Sequence, residues 1–499
     1  MADVRVVHSL EAAKPALFVR ELTLFDSIMV VAGVMIGSGI FIVPAEMARV
    51  IGSPGGLLAA WLLTGVLTVS AALSYGELAS MMPEAGGMYI YLREAFSPAA
   101  GFLYGWTLFT VIQTGTIAAV AVAFARFSGI LWPSISETHY LLGPIRFSSH
   151  YALSLSTAQL AAFAVIAALT WTNSRGLRYG KLVQNVSTVA KISALAALIL
   201  IGLSIGLHHA VIAENLHQFW GNGLNSSATK VSGVFGLVIA VCIAQSGSLF
   251  SADSWHNVTF AGAEVKNPRR TLPLALGTGC ALVIALYLLT NVAYLVSLPF
   301  SAIQQAPGDR VATAMMDSIF PGRGAVVMAI AIIVSTFGCL NSLILAGPRV
   351  FYAMARDGLF FPAAAKLNAH HVPGRSLLFQ GVWAAVLVLP RTFDPETGAY
   401  GNLYSNLLDY VISAALLFYI LTIFGVIRLR RLRPRAERPF RVPGYPLLPV
   451  LYVGGAAVVF LCLLVYRPAT TWPGIAIVLA GVPVYGWAML RRRRSLVEH

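Results

Sequence analysis

Two interrupted apolar stretches hold the residues best able to do chemistry. The first reads Val30-Val31-Ala32-Gly33-Val34-Met35-Ile36-Gly37-Ser38-Gly39-Ile40-Phe41, with two glycines and a serine where a plain anchor would carry Leu or Ile. The second reads Ser246-Gly247-Ser248-Leu249-Phe250-Ser251-Ala252-Asp253-Ser254-Trp255, a polar interruption that includes a carboxylate. Glycine weakens a helix at such positions, and a segment unwound in lipid must find partners for the N–H and C=O groups it frees. A half-helix N-terminus offers N–H donors and a positive dipole end to a carboxylate, and the carbonyls of a C-terminal end accept from an ammonium. An α-amino acid carries both groups. Taken alone, Gly37-Ser38-Gly39 reads better as close helix packing by small residues; the matching second break turns the reading toward ligand binding. Asp253 has a bland reading as a hydrated cavity-wall residue, but ionisable groups inside a membrane are costly enough that function is the default. Lys191, in mid-span within Thr188-Val189-Ala190-Lys191-Ile192-Ser193, lies too deep to snorkel and must reach a polar partner or lose its proton.

The elements that position these residues follow from composition. The chain has 499 residues, of which 58% are apolar and 11% charged, which excludes an ordinary soluble enzyme. Twelve runs are long and apolar enough to span a bilayer as helices, near residues 24 to 48, 56 to 81, 99 to 130, 153 to 172, 181 to 206, 232 to 262, 274 to 298, 324 to 353, 376 to 392, 402 to 427, 446 to 466 and 472 to 490. With the N-terminus inside, 25 of the 34 Lys and Arg fall in inner segments and 8 in outer ones, Lys191 being the remaining one. Basic residues are retained on the cytoplasmic side, so both termini are expected there, and the formal charge of +14 is topological rather than a nucleic-acid surface. The same retention accounts for Arg428 to Arg441 and Arg491 to Arg494, which could otherwise hold anionic lipid headgroups.

Residues 1 to 23 lack the apolar run and cleavage site of a signal peptide. The longest polar stretches, around 132 to 152, 207 to 231 and 354 to 375, are too short for a soluble domain. Four dispersed cysteines show neither pairing nor metal-ligand spacing. No phosphate-binding loop supports ATP-driven pumping. Asp253, Ser254 and His256 on one helix do not make a catalytic triad, and no nucleophile motif accompanies them. No cofactor and no metal are expected.

The two broken spans, first and sixth, each open a set of five, which is the pattern of an inverted repeat with its ligand site at the bilayer midplane. The expected organisation is a cytoplasmic segment 1–23, a first repeat 24–206, a second repeat 232–427, two further spans over 446–490 and a basic tail 491–499.

The sequence resembles the amino acid, polyamine and organocation transporter superfamily, and within it the L-type amino acid transporter group. The motifs are Gly37-Ser38-Gly39-Ile40-Phe41 with Pro44, Tyr75-Gly76-Glu77-Leu78, and Pro83-Glu84-Ala85-Gly86-Gly87 followed by Tyr89, Tyr91, Leu92 and Ala95-Phe96. Further along stand Glu264-Val265-Lys266-Asn267-Pro268-Arg269-Arg270-Thr271-Leu272-Pro273, Leu289-Thr290-Asn291-Val292-Ala293-Tyr294, and Gly347-Pro348-Arg349-Val350-Phe351-Tyr352-Ala353 with Arg356-Asp357-Gly358. The resemblance covers nearly the whole chain. It implies an all-α membrane protein of twelve helices, a five-plus-five inverted repeat of the LeuT type with helices 1 and 6 broken. It also implies that the substrate carboxylate meets the Ser38 hydroxyl and the N–H groups of Ser38, Gly39 and Ile40 in the Gly37 break. The ammonium would meet carbonyls of Met35, Phe250 and Asp253, beside Ser251. Phe250 matches an aromatic that closes over the substrate; Trp255, His256 and Tyr294 are further gating candidates, although packing is the commoner fate of buried aromatics.

Lys191 matches a span 5 lysine placed where sodium-coupled relatives bind a cation between spans 1 and 8, which implies sodium-independent transport; a constitutive tether between helices is the equal alternative. The span 6 break departs from the group, with Ser251-Ala252-Asp253-Ser254 for an aromatic and glycines, and His256 for an Asn. A pocket-facing Asp253 would favour cationic substrates. An Asp253 turned toward protein would be silent on specificity and is preferred, because the group uses its backbone. Residues 131 to 152 contain no cysteine for a disulfide-linked heavy chain, so none is expected as a partner, in keeping with a bacterial-type member of the inner membrane. The expected function is alternating-access exchange or facilitated passage of L-amino acids, neutral ones above all, with the lipid bilayer and the small-molecule substrate as partners and no nucleic acid. Proton-coupled or cationic amino acid or polyamine transport, and an amino acid sensor without flux, are the alternatives. Span 3 residues Trp106, Thr110 and Gln113 and span 8 residues Asn341 and Ser342 are candidate pocket-lining groups.

Overall fold

The computed structural model describes residues 20–175, 180–221, 233–369, 372–393 and 400–497. The N-terminal segment up to residue 19, Arg178, the expected start of the second repeat at 232 and the last two tail residues lie outside the described residues.

Span 1 opens with a capping box: the Thr23 hydroxyl accepts from the Asp26 N–H, and the Asp26 carboxylate accepts from the Thr23 N–H at 2.8 Å. The helix Leu24–Met35 then stops at the glycine-serine pair and resumes as Gly39–Ile51, the two halves bent by 43°. Span 2 is Pro54–Met81, started by a proline at its first position, where a missing N–H costs nothing. Span 3 is Pro98–Leu131, with a wide turn at Leu108–Ile112. Spans 5, 7, 8 and 10 are Gly180–Ser204, Pro268–Ser297, Gly324–Arg356 and Leu403–Leu432. Span 6 runs from Gly233 to Ser251, breaks, and continues as the short helix Asn257–Phe260. Spans 11 and 12 are Leu447–Tyr466 and Pro468–Val497.

Among the described residues nine helices are long and apolar enough to cross a membrane, and ten if the bent pair of span 1 counts as one. The other two expected spans are helices, Thr157–Ser174 and Gly374–Leu387, which fall outside that set. The second rises only about 21 Å against a hydrocarbon core of about 30 Å. The all-α expectation needs one amendment. Tyr140–Arg146, Tyr151–Ser156 and Pro390–Thr392 pair as a small antiparallel sheet on the face opposite residue 20, joining the segment after span 3 to the end of span 9. Its backbone groups are largely paired across the ladder and most of the first strand is exposed, as fits a position outside lipid.

Packing follows the exchange of one five-span set for the other. Spans 1 and 6, 2 and 7, 3 and 8, and 4 and 9 pack as pairs that map onto themselves. The contact of span 1 with span 7 has its counterpart in span 6 with span 2; span 1 with span 5 answers to span 6 with span 10; span 5 with span 8 answers to span 10 with span 3. The contacts of one five-span set thus recur in the other, with the two broken spans as a self-mapping pair. Spans 11 and 12 lie outside both sets, against spans 2, 3, 6 and 10.

Both faces are latched. On the face of residue 20, Arg349 holds Glu264 through two bonds of 2.6 and 3.0 Å, and Arg93 and Tyr89 converge on Asp357 at 2.5 and 2.6 Å. Leu22 bridges Val265, tying the entry of span 1 to the exit of span 6. Arg433, 2.8 Å from Glu94, holds that carboxyl below its ordinary range. On the opposite face Arg49 pairs with Asp309, Arg126 with Glu137, and Ser405 donates to Glu46. Ion pairs and hydrogen bonds therefore tie the spans together at both faces.

Glu77 fixes span 2 to the segment after span 10. It is almost fully buried, accepts from Arg430 at 2.6 and 2.9 Å and from the Val442 N–H at 2.9 Å, and lies 3.3 Å from Arg438. Removing one partner of a buried pair strands the other charge, so E77A should destabilise the fold by about 3 kcal/mol. Thermal unfolding in detergent checks this; a melting point within a degree of wild type would show that the cluster carries no such weight.

Candidate functional site at the two helix breaks

The break in span 1 leaves a helix C-terminus in the interior of the bundle, and side chains from three other spans meet its carbonyls. Lys191 donates to Gly33 O at 2.8 Å, Cys339 to Val34 O at 3.3 Å, Tyr287 to Met35 O at 2.8 Å and Ser335 to Ile36 O at 3.4 Å. Two of these carbonyls are also met by backbone: Ala32 O accepts from the Ile36 N–H and Met35 O from the Gly37 N–H, both at 2.9 Å. Each of these groups is buried, Lys191 at 2% exposure, and an unmet carbonyl there would forfeit a full hydrogen bond. Lys191 thus lies against span 1 and, through its side chain beside Gly338, against span 8. It belongs to a polar stripe on span 5: Gln184 and Thr188 donate to Met29 O, and the seven-residue spacing to Lys191 keeps all three on one face. Gly33 is required beneath the stripe, since a Cβ there would collide with the Gln184 amide and the Thr188 hydroxyl.

Beyond the break, Gly39–Ile51 presents a helix N-terminus. The Phe41 N–H turns back to Ser38 O at 3.1 Å, while the N–H groups of Gly39 and Ile40 stand in the first turn, where a helix supplies no acceptor of its own. The Ser38 hydroxyl lies 2.9 Å from the Tyr404 hydroxyl, and Phe250 meets the Tyr404 ring edge-on at 6.2 Å. Tyr294 donates to Ile40 O at 3.2 Å. Donors suited to a carboxylate and acceptors suited to an ammonium therefore flank Gly37 and Ser38 within one turn of chain.

The two breaks touch. A Cβ on Gly39 would strike the Ser251 hydroxyl and lie 2.8 Å from the Ser251 Cα. Span 6 unwinds from Ala252 to His256, with Ser254 in the left-handed region at φ 67°, a conformation that costs a non-glycine residue about 1 kcal/mol. The Phe250 carbonyl accepts from the Asp253 N–H at 3.1 Å within this turn, and the Ser251 carbonyl accepts from Tyr287 at 3.1 Å. The Asp253 side chain faces spans 2, 10 and 11: one oxygen accepts from Tyr419, whose hydroxyl is 3.0 Å from His256 Nδ1. The other oxygen has no partner among the described residues, and Asp253 borders a cavity of about 20 Å³, large enough for one water, lined also by Thr68, Ile412, Tyr419 and Tyr452. Trp255 packs edge-on to Tyr75 at 4.8 Å and stacks on Tyr419 at 6.0 Å, so Trp255 and His256 form an aromatic cluster below the break rather than a wall facing Ser38.

The five proposed lining groups of spans 3 and 8 have hydrogen-bond partners within the bundle, Ser342 among them joining the polar stripe of span 5. Trp106 donates to Ile477 O, Thr110 to Trp106 O, Gln113 to Leu343 O, Asn341 accepts from Asn173, and Ser342 donates to Gln184. Residues absent from the sequence reading are Tyr287, Ser335, Cys339, Tyr404 and Tyr419. One signal pointed to Tyr287: it stands seven residues before Tyr294 and shares its face of span 7.

Residues 22–487 match the family model described as amino acid permease. The chain is 29% identical to the serine/threonine exchanger SteT of Bacillus subtilis (strain 168), over 95% of this chain and 98% of that one. It is 28% identical to the b(0,+)-type amino acid transporter 1 of Mus musculus, over 100% and 95%. To the large neutral amino acids transporter small subunit 2 of Homo sapiens it is 30% identical, over 93% and 80%.

Because the breaks touch at backbone, G39A should lower flux in reconstituted vesicles by at least about tenfold if one misplaced group costs about 1.4 kcal/mol, in protein that still unfolds cooperatively in detergent. Flux within twofold of wild type would separate the contact from transport.

Proposed function

Since the chain belongs to the amino acid permease family, we propose that it exchanges neutral L-amino acids across a bacterial inner membrane by alternating access, without sodium. The observation that carries this reading is the pairing of a free helix N-terminus with a set of freed carbonyls around Gly37 and Ser38. In this reading the substrate carboxylate takes the N–H groups of Ser38, Gly39 and Ile40 with the Ser38 hydroxyl, releasing Tyr404. The ammonium takes carbonyls of Met35, Phe250 and Asp253. Phe250, beside Tyr404, covers the substrate. The Lys191 ammonium on the Gly33 carbonyl supplies the positive charge that a bound cation would supply at the same helix end.

The face carrying residue 20 is the cytoplasmic one, following the distribution of basic residues. The two repeats 24–206 and 232–427 then move relative to each other, opening one latched face at a time, and no heavy chain or cofactor takes part. The relatives, an exchanger for serine and threonine and transporters of the b(0,+) and large-neutral kinds, support amino acid passage. The turn of Asp253 toward Tyr419 supports neutral substrates. Its uncapped oxygen supports a second reading, in which a cationic side chain reaches it.

Uptake of a panel of L-amino acids into sodium-free proteoliposomes, empty or preloaded, tests both. Strong stimulation by internal amino acid without sodium is expected; uptake that needs a sodium or proton gradient would contradict exchange. For D253N, serine and leucine exchange should stay within about threefold of wild type, the scale of one modest hydrogen bond. Selective loss of arginine or lysine uptake would establish the cationic reading instead.

A further inference from the structure

The last residue of each half-helix that ends at the breaks, Met35 in span 1 and Ser251 in span 6, presents its carbonyl to a single hydroxyl. Tyr287 of span 7 shares its proton between Met35 O at 2.8 Å and Ser251 O at 3.1 Å. The residue is fully buried, and its ring is wedged edge-on against Trp61 of span 2 at 5.6 Å, which leaves the hydroxyl no water to turn to. Two C-terminal dipole ends converge here, the electrostatic setting that favours a cation, and Met35 O is one of the acceptors assigned above to the substrate ammonium.

We propose that Tyr287 is the internal stand-in for that ammonium, a positioning residue that occupies the Met35 and Ser251 carbonyls while the carrier is empty and so sets how readily the empty carrier crosses the membrane. This rests on the exchange reading. Met35 O keeps a second donor in the Gly37 N–H at 2.9 Å, whereas among the described residues Ser251 O is met by Tyr287 alone, and an empty carrier that closes must satisfy it, because a bare carbonyl in a dry interior costs a hydrogen bond's worth of desolvation. The phenol offers one proton to two acceptors. An ammonium offers three, with charge, enough to meet Met35 O and Ser251 O together with one further carbonyl of the set assigned above, and so displaces the phenol. With the stand-in present the empty carrier can close and return. Without it, closure demands a substrate, and the transporter becomes a stricter exchanger.

The test is Y287F in proteoliposomes, with radiolabelled L-serine taken up into empty vesicles and into vesicles preloaded with L-serine. Net uptake into empty vesicles should fall about fivefold or more relative to exchange, the worth of one hydrogen bond. The half-saturation concentration should fall, because the substrate no longer has a phenol to displace. Purified Y287F should also gain more thermal stabilisation from added L-serine than wild type does, a readout that needs no flux. An unchanged ratio of net to exchange flux, or a raised half-saturation with both fluxes lowered in proportion, would overturn the proposal and leave Tyr287 a structural clasp. If wild-type protein shows no serine, leucine or arginine flux in either assay, it is the transport reading that fails.

Discussion

A backbone carbonyl with no donor cannot be left in hydrocarbon, and this requirement organises the molecule around span 1. Breaking that helix at Gly37 and Ser38 exposes the carbonyls of Gly33 to Ile36, and the bundle answers with Lys191, Cys339, Tyr287 and Ser335 from spans 5, 8 and 7. The donors come from both five-span sets, so the break forces the halves of the chain to assemble around it. The polar stripe on span 5, the glycine beneath it at Gly33 and the close approach of Gly39 to Ser251 all follow from the need to bring partners to a helix end that water cannot reach.

The same constraint makes the break usable. Side-chain donors that meet freed carbonyls hold places that a ligand with matching groups can take. The half-helix C-terminus at Met35 and the half-helix N-terminus at Gly39 stand four residues apart in the chain, acceptors and donors matched to the two ends of a zwitterion. The ion pairs on the two faces, Arg349 with Glu264 on one and Arg49 with Asp309 on the other, involve none of the residues at Gly37–Ile40 or Ser251–His256.

Much of this was legible in the sequence because membranes punish irregularity. Glycine pairs and polar runs inside apolar stretches mark breaks at Gly37 and Ser251, and a lone Lys191 in mid-span has to have a partner; the periodicity of basic residues orders the loops. The span 4 and span 9 segments were less legible, since Gly374–Leu387 is short enough to need its neighbours in place of lipid. The strands Tyr140–Arg146 and Tyr151–Ser156 pair locally, but the second is apolar enough to read as the start of span 4, and its other partner, Pro390–Thr392, lies far along the chain, which local pattern does not encode. Helix rotation was the largest loss. Trp106, Gln113 and Asn341 have the right polarity to line a pocket and are instead spent on helix crosslinks, whereas Tyr287, Tyr404 and Tyr419 read as ordinary membrane aromatics until their hydroxyls are seen to point at the breaks.

The central claim is that freed backbone ends of two broken helices recognise the two charged groups common to all α-amino acids. The most direct measurement is competition for exchange in proteoliposomes by a transported L-amino acid, by its methyl ester and by its N-acetyl derivative. Loss of either charge should weaken competition by about a hundredfold, since each removes charge-assisted hydrogen bonds to the buried backbone. An ester or an acetylated derivative that competes within about threefold of the parent, less than a single hydrogen bond would cost, would contradict the account and place recognition in the side-chain pocket.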